Sequence, residues 1–155
     1  MTRSGNAVLI RPLKAEDVKA LACLEREIFA TPWTERMFEE LLCHIHSMYL
    51  VAETDGKVVG CAGLTMLGEE GDIDKVMVEE GYRRQGIAAL LLQKLMDEAG
   101  SRGIISFTLE VRESNQAAIR LYERFGFHSE GVRPGFYEKP TEDALIMWLR
   151  PEAGP

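Results

Sequence analysis

The segment Arg83-Arg84-Gln85-Gly86-Ile87-Ala88 has the residue types and the position of a phosphate-binding loop. It follows the apolar run Val76-Met77-Val78 and opens a strongly periodic helical pattern. The first N–H groups of a helix have no intrahelical acceptor, and they lie at the positive end of the helix dipole. Two arginines add charge-assisted contacts to an anion. The segment is interpreted as an anion cradle, with an ordinary basic helix start as the alternative, because short patterns of this kind also arise by chance.

Glu110 is a carboxylate in a strand pattern that has one apolar and one polar face. Alternation along Phe107–Arg112 places Glu110 on the face opposite Leu109. If this strand is central, both faces are largely covered, and a carboxylate there needs a partner, water or a raised pKa. The plainer alternative is that Glu110 pairs with Arg112 or lies at an exposed strand end.

Three aromatic residues have two possible roles each. Tyr122 falls on the apolar face of a helical pattern, where a core tyrosine is the simpler interpretation. Trp33 follows Pro32 in a break between two helical patterns, and Tyr137 lies in a late segment next to Phe136. An aromatic side chain in a loop can line a substrate pocket or cover the edge of a core. The sequence alone does not decide between these roles.

The elements that must position these residues alternate along the chain in the order β–α–α–β–β–β–α–β–α–β–β. The strand patterns cover Val8–Arg11, Met48–Glu53, Lys57–Leu67, Asp72–Val78, Ser106–Val111, Phe127–Val132 and Ala144–Leu149. The helical patterns cover Ala15–Ile28, a helix capped by Thr34 to about His44, about Ile87–Ser101, and a helix capped by Ser114 or Asn115 through Phe125. Asp55-Gly56 predicts a hairpin turn, and Arg133–Glu142 predicts a loop. The order predicts an α/β (mixed α+β) fold with a single central mixed, mostly antiparallel sheet and helices on both faces.

Composition limits the classes of protein to consider. The 155 residues are 46% hydrophobic and 28% charged, which suits one globular domain over 1–155 with its core at about 8–149. The net charge of −7 argues against broad binding to nucleic acid or to an anionic membrane. Residues 1–6 lack the apolar stretch of a secretory signal, and no apolar run approaches the roughly 20 residues of a membrane span, so a cytoplasmic location is the default expectation. Three cysteines without a CxxC motif are expected to be buried reduced thiols, and no metal site is predicted.

Three segments, taken in order, resemble the Gcn5-related N-acetyltransferase superfamily. They are Arg83-x-x-Gly86-x-Ala88, then Leu109-Glu110-Val111-Arg112 leading into Asn115-x-x-Ala118-x-x-Leu121-Tyr122-x-x-x-Gly126-Phe127, and finally Glu142-Asp143-Ala144-Leu145-Ile146-Met147. The resemblance runs from about Val8 to Leu149. Within the superfamily the chain is most similar to the bacterial ribosomal-protein-alanine N-acetyltransferases, which Pro32-Trp33 also supports.

The resemblance implies acetyl-coenzyme A as the donor and an amine as the acceptor. It implies that the pyrophosphate lies on the backbone of Arg84, Gln85, Gly86, Ile87, Ala88 and Ala89. It implies that pantetheine runs along Val76, Met77 and Val78, with Asn115 also touching the coenzyme. Glu110 matches the general base and Tyr122 the general acid, and the strands that carry Met77 and Glu110 are expected to splay apart. The regions of Trp33 and Tyr137 are expected to wall the acceptor site.

The implied roles agree with the chemistry of these residue types. A free α-amine has a pKa near ~8 and must lose a proton before it attacks a thioester, which a carboxylate can accept. A phenol with a pKa near ~10 can protonate a thiolate of pKa near ~8.5. The expected activity is acetylation of a protein or peptide N-terminal α-amine, perhaps that of a ribosomal protein; the alternatives are acetylation of a polyamine, amino acid or aminoglycoside, or a non-catalytic coenzyme A-binding module. Two departures stand out: Ala88 replaces a common glycine, and Arg133–Pro140 does not closely copy the ribosomal enzymes' loop.

Overall fold

Seven strands and four α-helices make up residues 7–151, the part of the chain that the computed structural model describes. The strands are β1 Leu9–Pro12, β2 Ser47–Thr54, β3 Lys57–Leu67, β4 Glu70–Val78, β5 Ser106–Arg112, β6 His128–Tyr137 and β7 Glu142–Leu149. The helices are α1 Val18–Ile28, α2 Glu35–Leu42, α3 Ile87–Ser101 and α4 Gln116–Arg124, with short 3-10 turns at Ala15–Asp17 and Glu80–Tyr82. Residues 1–6, whose composition bears on targeting, lie outside the described residues.

The strands form one mixed sheet in the order β1-β2-β3-β4-β5-β7-β6. Neighbouring strands are antiparallel except for β4 and β5, which are parallel. Side-chain alternation lets both faces be buried. On β2, Tyr49 and Val51 face the core under α1 and α2, while Met48 and Leu50 face the core under α3 and α4. The predicted single mixed sheet with helices on both faces is confirmed.

The sheet opens between β4 and β5. Parallel pairing starts at Glu70 and Ser106 and ends at Ile73 and Leu109, although both strands continue beyond that point. On its other side β4 carries a bulge, because Leu64 pairs with Ile73 while Gly63 pairs with Lys75, which leaves Asp74 unpaired in the β3 register. A bulge bends and twists its strand. The bulge accounts for the separation of β4 from β5, and the predicted splaying is confirmed.

Local signals in the sequence fix several element ends. The Thr34 side chain accepts a hydrogen bond from the N–H of Met37 at the start of α2. The Asn115 side chain accepts one from the N–H of Ala118 at the start of α4. The hairpin between β2 and β3 turns at Asp55-Gly56, with φ of +53° and +74°. These positions agree with the predicted caps and turn.

The predicted loop Arg133–Glu142 is wrong over much of its length. Strand β6 continues to Tyr137, and β7 begins at Glu142, so that a short connection joins the two strands. Strand β6 lies at the edge of the sheet, where Pro134 breaks no interior ladder. The register is irregular between Arg133 and Tyr137. Proline and glycine therefore mark an irregular edge strand at this position rather than a loop.

The expectation of three buried thiols is also wrong. Cys61 is buried in the sheet, but Cys23 on α1 and Cys43 just after α2 are exposed, and all three are free. Their short apolar side chains fit either environment. Within residues 7–151, no helix is both long enough and apolar enough to cross a membrane.

Candidate active site

The opening between β4 and β5 forms a cleft with a volume of about 470 Å³. Its walls come from four parts of the fold: β4, β5 with the start of α4, the connection between α1 and α2, and the end of β6. Six of the predicted site residues line it, namely Trp33, Val76, Glu110, Asn115, Tyr122 and Tyr137. The fold therefore brings together residues that are far apart in the sequence.

Glu110 lies in this cleft, half-buried, on the face of β5 that is turned towards α1 and α2. Its neighbours Leu109 and Val111 point into the core on the opposite face. Burial raises the pKa of the Glu110 carboxyl, the nearby Asp72 raises it further, and Arg133 opposes the rise. The guanidinium of Arg133 lies 3.6 Å from the Glu110 carboxylate. The arrangement gives a carboxyl with an increased proton affinity that is still open to the cleft.

The alternative pairing of Glu110 with Arg112 is wrong. The guanidinium of Arg112 instead donates to the Glu142 carboxylate at 3.2 Å and to the carbonyl oxygens of Glu138 and Pro140. It also lies 4.5 Å from the centre of the Tyr137 ring. Arg112 thus fixes the connection between β6 and β7, and with it the aromatic wall of the cleft.

Tyr122 reaches the cleft from α4, on the other face of the sheet. Its ring packs against Phe127 with 5.8 Å between ring centres, and 8% of the residue is exposed. Burial raises the pKa of the Tyr122 phenol well above its ordinary value, and the neighbouring Tyr137 adds to the rise. The phenol therefore stays protonated at neutral pH. Tyr122 is therefore a core tyrosine, as its periodicity indicates, and also part of the cleft lining.

The predicted phosphate loop has an unusual backbone. Arg84 has a φ of +63°, and Gly86, which caps α3, has a φ of +81°. Left-handed residues set among right-handed ones turn successive N–H groups towards one concave surface, which suits an anion. A Cβ atom built on Gly86 would meet open space. The Arg83 side chain donates to the carbonyl of Val78 at 3.0 Å and so ties the loop to the end of β4.

Some of the residues predicted to bind the coenzyme have buried side chains. Met77, Val78 and Ile87 are buried in the two cores, and Ala88 and Ala89 are packed partly against one of them. A ligand would contact these residues through their backbone, as the resemblance implies. Beyond Ile73, the β4 edge that faces the cleft has left its ladder with β5. Its backbone groups can therefore hydrogen-bond to an extended ligand.

Sequence reasoning missed three charged residues of the cleft wall, Asp74, Lys75 and Glu25. Asp74, at the bulge, accepts hydrogen bonds from the Tyr49 hydroxyl at 3.1 Å and the Thr65 hydroxyl at 2.8 Å, and burial raises the pKa of its carboxyl. Lys75 forms an ion pair with Glu25, a residue of α1. The signal was present in the alternation Asp72-Ile73-Asp74-Lys75, whose charges are out of place in a central strand. Among residues 7–151, no group of three or more histidine, cysteine, aspartate or glutamate side chains is placed to hold a metal ion.

Comparison with known proteins gives a consistent result. Residues 18–127 match the acetyltransferase (GNAT) family. The [ribosomal protein bS18]-alanine N-acetyltransferase of Escherichia coli is 35% identical over 144 residues, which are 90% of this chain and 95% of that protein. The N-alpha-acetyltransferase RimI of Mycobacterium tuberculosis is 35% identical over 153 residues, 95% of each chain. The crystal structure of the ribosomal-protein-S18-alanine N-acetyltransferase from Escherichia coli superimposes with a TM-score of 0.86 at 33% identity, covering 96% of this chain and 97% of that one.

Proposed function

The chain belongs to the acetyltransferase (GNAT) family and is an N-acetyltransferase of that type, and from this premise we propose that it acetylates the N-terminal α-amine of a protein or peptide. A ribosomal protein is the proposed acceptor. The observation that carries the proposal is the cleft through the splayed sheet, which has Glu110 on one face and Tyr122 on the other.

The two residues are assigned opposite proton transfers. Glu110 accepts a proton from the acceptor ammonium, directly or through water, and the free amine nitrogen then bonds to the carbonyl carbon of the acetyl group. The carbon–sulfur bond of the thioester breaks as Tyr122 donates its proton to the leaving thiolate. The nitrogen loses its second proton to solvent as it becomes an amide, and the Tyr122 phenolate takes a proton back from solvent. The raised pKa of Glu110 suits it to take a proton near neutral pH. The elevated pKa of Tyr122 keeps its proton in place until a thiolate forms beside it.

The coenzyme is assigned to the side of the sheet covered by α3 and α4. Acetyl-coenzyme A supplies the acetyl group as a thioester. The backbone N–H groups of residues 84–89 would hold its pyrophosphate, because they lie at the start of α3 beside an inverted backbone. Pantetheine would follow Val76–Val78, where β4 no longer pairs with β5, and Asn115 would lie at the cleft wall.

The acceptor is assigned to the side covered by α1 and α2, between Trp33 and Tyr137. The Escherichia coli relative is named an alanine N-acetyltransferase of ribosomal protein bS18, and the Mycobacterium tuberculosis relative is named an N-alpha-acetyltransferase. Both names support an α-amine as the acceptor. Carboxylates of Asp74 and Glu110 face the same cleft, and they favour a cationic amine over a neutral group.

A small polyamine is the second candidate acceptor, because the same carboxylates would attract it. The two candidates differ in the need for a peptide backbone and a first side chain. A polyamine would use charge alone, whereas a peptide would also pack against the aromatic walls at Trp33 and Tyr137.

Mass spectrometry of a peptide library after incubation with acetyl-coenzyme A would test the proposal. The library varies the first residue, and each peptide carries one internal lysine. Matched peptides with a blocked N-terminus, and spermidine, serve as competing acceptors. We expect acetyl groups on free α-amines, with alanine among the preferred first residues. Acetylation confined to lysine side chains or to spermidine would contradict the proposal, and a Glu110→Gln variant controls for non-enzymatic transfer.

A further inference from the structure

A buried ion pair joins α1 to β4 at the acceptor side of the cleft. The ammonium of Lys75 lies 2.5 and 2.9 Å from the two carboxylate oxygens of Glu25. The side chains are 7% and 1% exposed. Removing two charges from water is costly, and a well-packed apolar pair is often as stable as a buried ion pair. A contribution to the stability of the fold therefore does not by itself explain why a charged pair, rather than an apolar pair, occupies this position.

Both partners also hold the connection between α1 and α2. An oxygen of Glu25 accepts a hydrogen bond from the Trp33 backbone N–H at 3.2 Å. The Lys75 ammonium lies 4.1 Å from the centre of the Trp33 ring and 4.5 Å from that of Phe29. A cation at these distances from an aromatic ring is attracted to it. The ion pair thus contacts this connection through one backbone hydrogen bond and two cation–π contacts.

The aromatic residues so held form part of the cleft wall. Trp33, Phe29, Glu25 and Lys75 all line the cleft that also contains Glu110. Trp33 packs further onto Phe38 and Tyr49 of the core beneath α1 and α2, with ring centres 5.4 and 6.1 Å apart. Loss of the contacts that Glu25 and Lys75 make with Trp33 would therefore change the shape of the acceptor wall. The coenzyme side of the sheet would stay in place.

We propose that Glu25 and Lys75 are positioning residues that fix Trp33 and Phe29 as the acceptor wall and thereby set the affinity for the acceptor. The inference rests on the proposed function, since it takes this side of the cleft as the acceptor site. It assigns the pair no part in proton transfer. Loss of the ion pair should weaken acceptor binding and leave both the chemical step and coenzyme binding unchanged.

The decisive variant removes both charges. Lys75→Met alone leaves the Glu25 carboxylate buried without its partner, which is destabilising. The double variant Glu25→Gln with Lys75→Met has no unpaired charge, and its amide oxygen can still accept from the Trp33 N–H. We expect the KM for an alanine-initiated peptide to rise about tenfold in the double variant, the size of effect that a desolvated cation–π contact supports. The kcat and the KM for acetyl-coenzyme A should stay as in the wild type.

Two further variants separate positioning from general damage. Lys75→Arg keeps a cation that stacks on aromatic rings and pairs with a carboxylate. This single variant should therefore retain most of the wild-type acceptor affinity. Lys94→Met removes a lysine of an exposed ion pair on α3 and should change neither KM. A double variant with a lowered thermal midpoint and an unchanged acceptor KM would show a purely structural pair and overturn the inference.

Fluorescence of Trp33 gives a readout that needs no turnover. The chain has two tryptophans, so a Trp148→Phe background leaves Trp33 as the single source of tryptophan fluorescence. Acrylamide should quench Trp33 more efficiently when Glu25→Gln and Lys75→Met are added to that background, because the ring is no longer held. Unchanged quenching would overturn the inference. If the wild-type enzyme acetylates no peptide, the proposed function fails, and this quenching experiment still decides whether the pair holds the wall.

Discussion

At the scale of single residues, the environment of Glu110 sets the conditions under which the proposed chemistry works. A carboxyl acts as a base in its deprotonated form, so kcat/KM should fall as the pH drops through the pKa of Glu110. That pKa is raised first by burial and then by Asp72, and it is lowered by Arg133. The two charged neighbours therefore act on the same carboxyl in opposite directions.

Replacing the base tests its role directly. Glu110→Gln keeps the shape of the side chain and removes the proton acceptor. We expect kcat to fall about 10²- to 10⁴-fold, the usual contribution of a positioned general base. Binding of acetyl-coenzyme A, measured by calorimetry, should be preserved. Turnover close to that of the wild type would remove Glu110 from the mechanism.

The charged neighbours of Glu110 predict the direction in which the pH profile of kcat/KM shifts when each of them is removed. Arg133→Ala removes a cation that favours the carboxylate, so the acid limb of the kcat/KM profile should move to higher pH. Asp72→Asn removes an anion that disfavours it, so the limb should move to lower pH. The pH dependence of initial rates measures both shifts.

The matching control is Arg150→Ala. Arg150 forms an exposed ion pair with Glu130 on the same edge of the sheet. Its removal should leave the acid limb in place. Shifts of the same sign in the Arg133 and Asp72 variants would mean that a group other than Glu110 controls the limb.

At the scale of elements, the site depends on one irregular strand and one helix start. The bulge at Asp74 bends β4 away from β5 and creates the cleft. The loop before α3 presents its N–H groups because Arg84 and Gly86 have positive φ. Arg112 holds the connection from β6 to β7 through side-chain and backbone contacts.

Gly86 gives the prediction that belongs to this scale. Its positive φ disfavours any side chain, and the space in front of it is open in the protein. Gly86→Lys should therefore cost some stability through backbone strain and should also obstruct a pyrophosphate. We expect acetyl-coenzyme A at 100 times its Kd to stabilise the wild type by about 2.7 kcal/mol, which the variant should lose at the same concentration.

Thermal unfolding with and without acetyl-coenzyme A measures this difference. Gly81→Lys is a suitable control, because Gly81 lies near the loop, has open space around it and has no positive φ. A ligand-induced rise in the melting temperature of Gly86→Lys equal to that of the wild type would contradict the loop assignment.

Elements with a clear period and clear ends could be predicted from the sequence. Strand β3 and helix α3 occur at the predicted bounds, because each is a long periodic run with turn signals at its ends. Strand β6 was missed beyond Val132, since proline and glycine indicate a loop when the edge position of a strand is unknown. Local patterns do not carry that information.

At the scale of the whole molecule, the site could be predicted only as far as motifs reach. Glu110 and Tyr122, which both line the cleft, could be singled out because each belongs to a short segment with fixed spacing. The ion pair of Glu25 and Lys75 was not found, because its partners lie 50 residues apart and meet only when α1 packs on the sheet. The contact of Arg133 with Glu110 likewise depends on strand order.

The cleft between β4 and β5 is lined from both faces of the sheet, with Trp33 on the side of α1 and α2 and Tyr122 on the side of α4. Under the proposed assignment, acceptor and donor occupy opposite faces of the sheet, and neither has to leave before the other binds. Both can then be bound at once in a ternary complex, which direct transfer of the acetyl group requires.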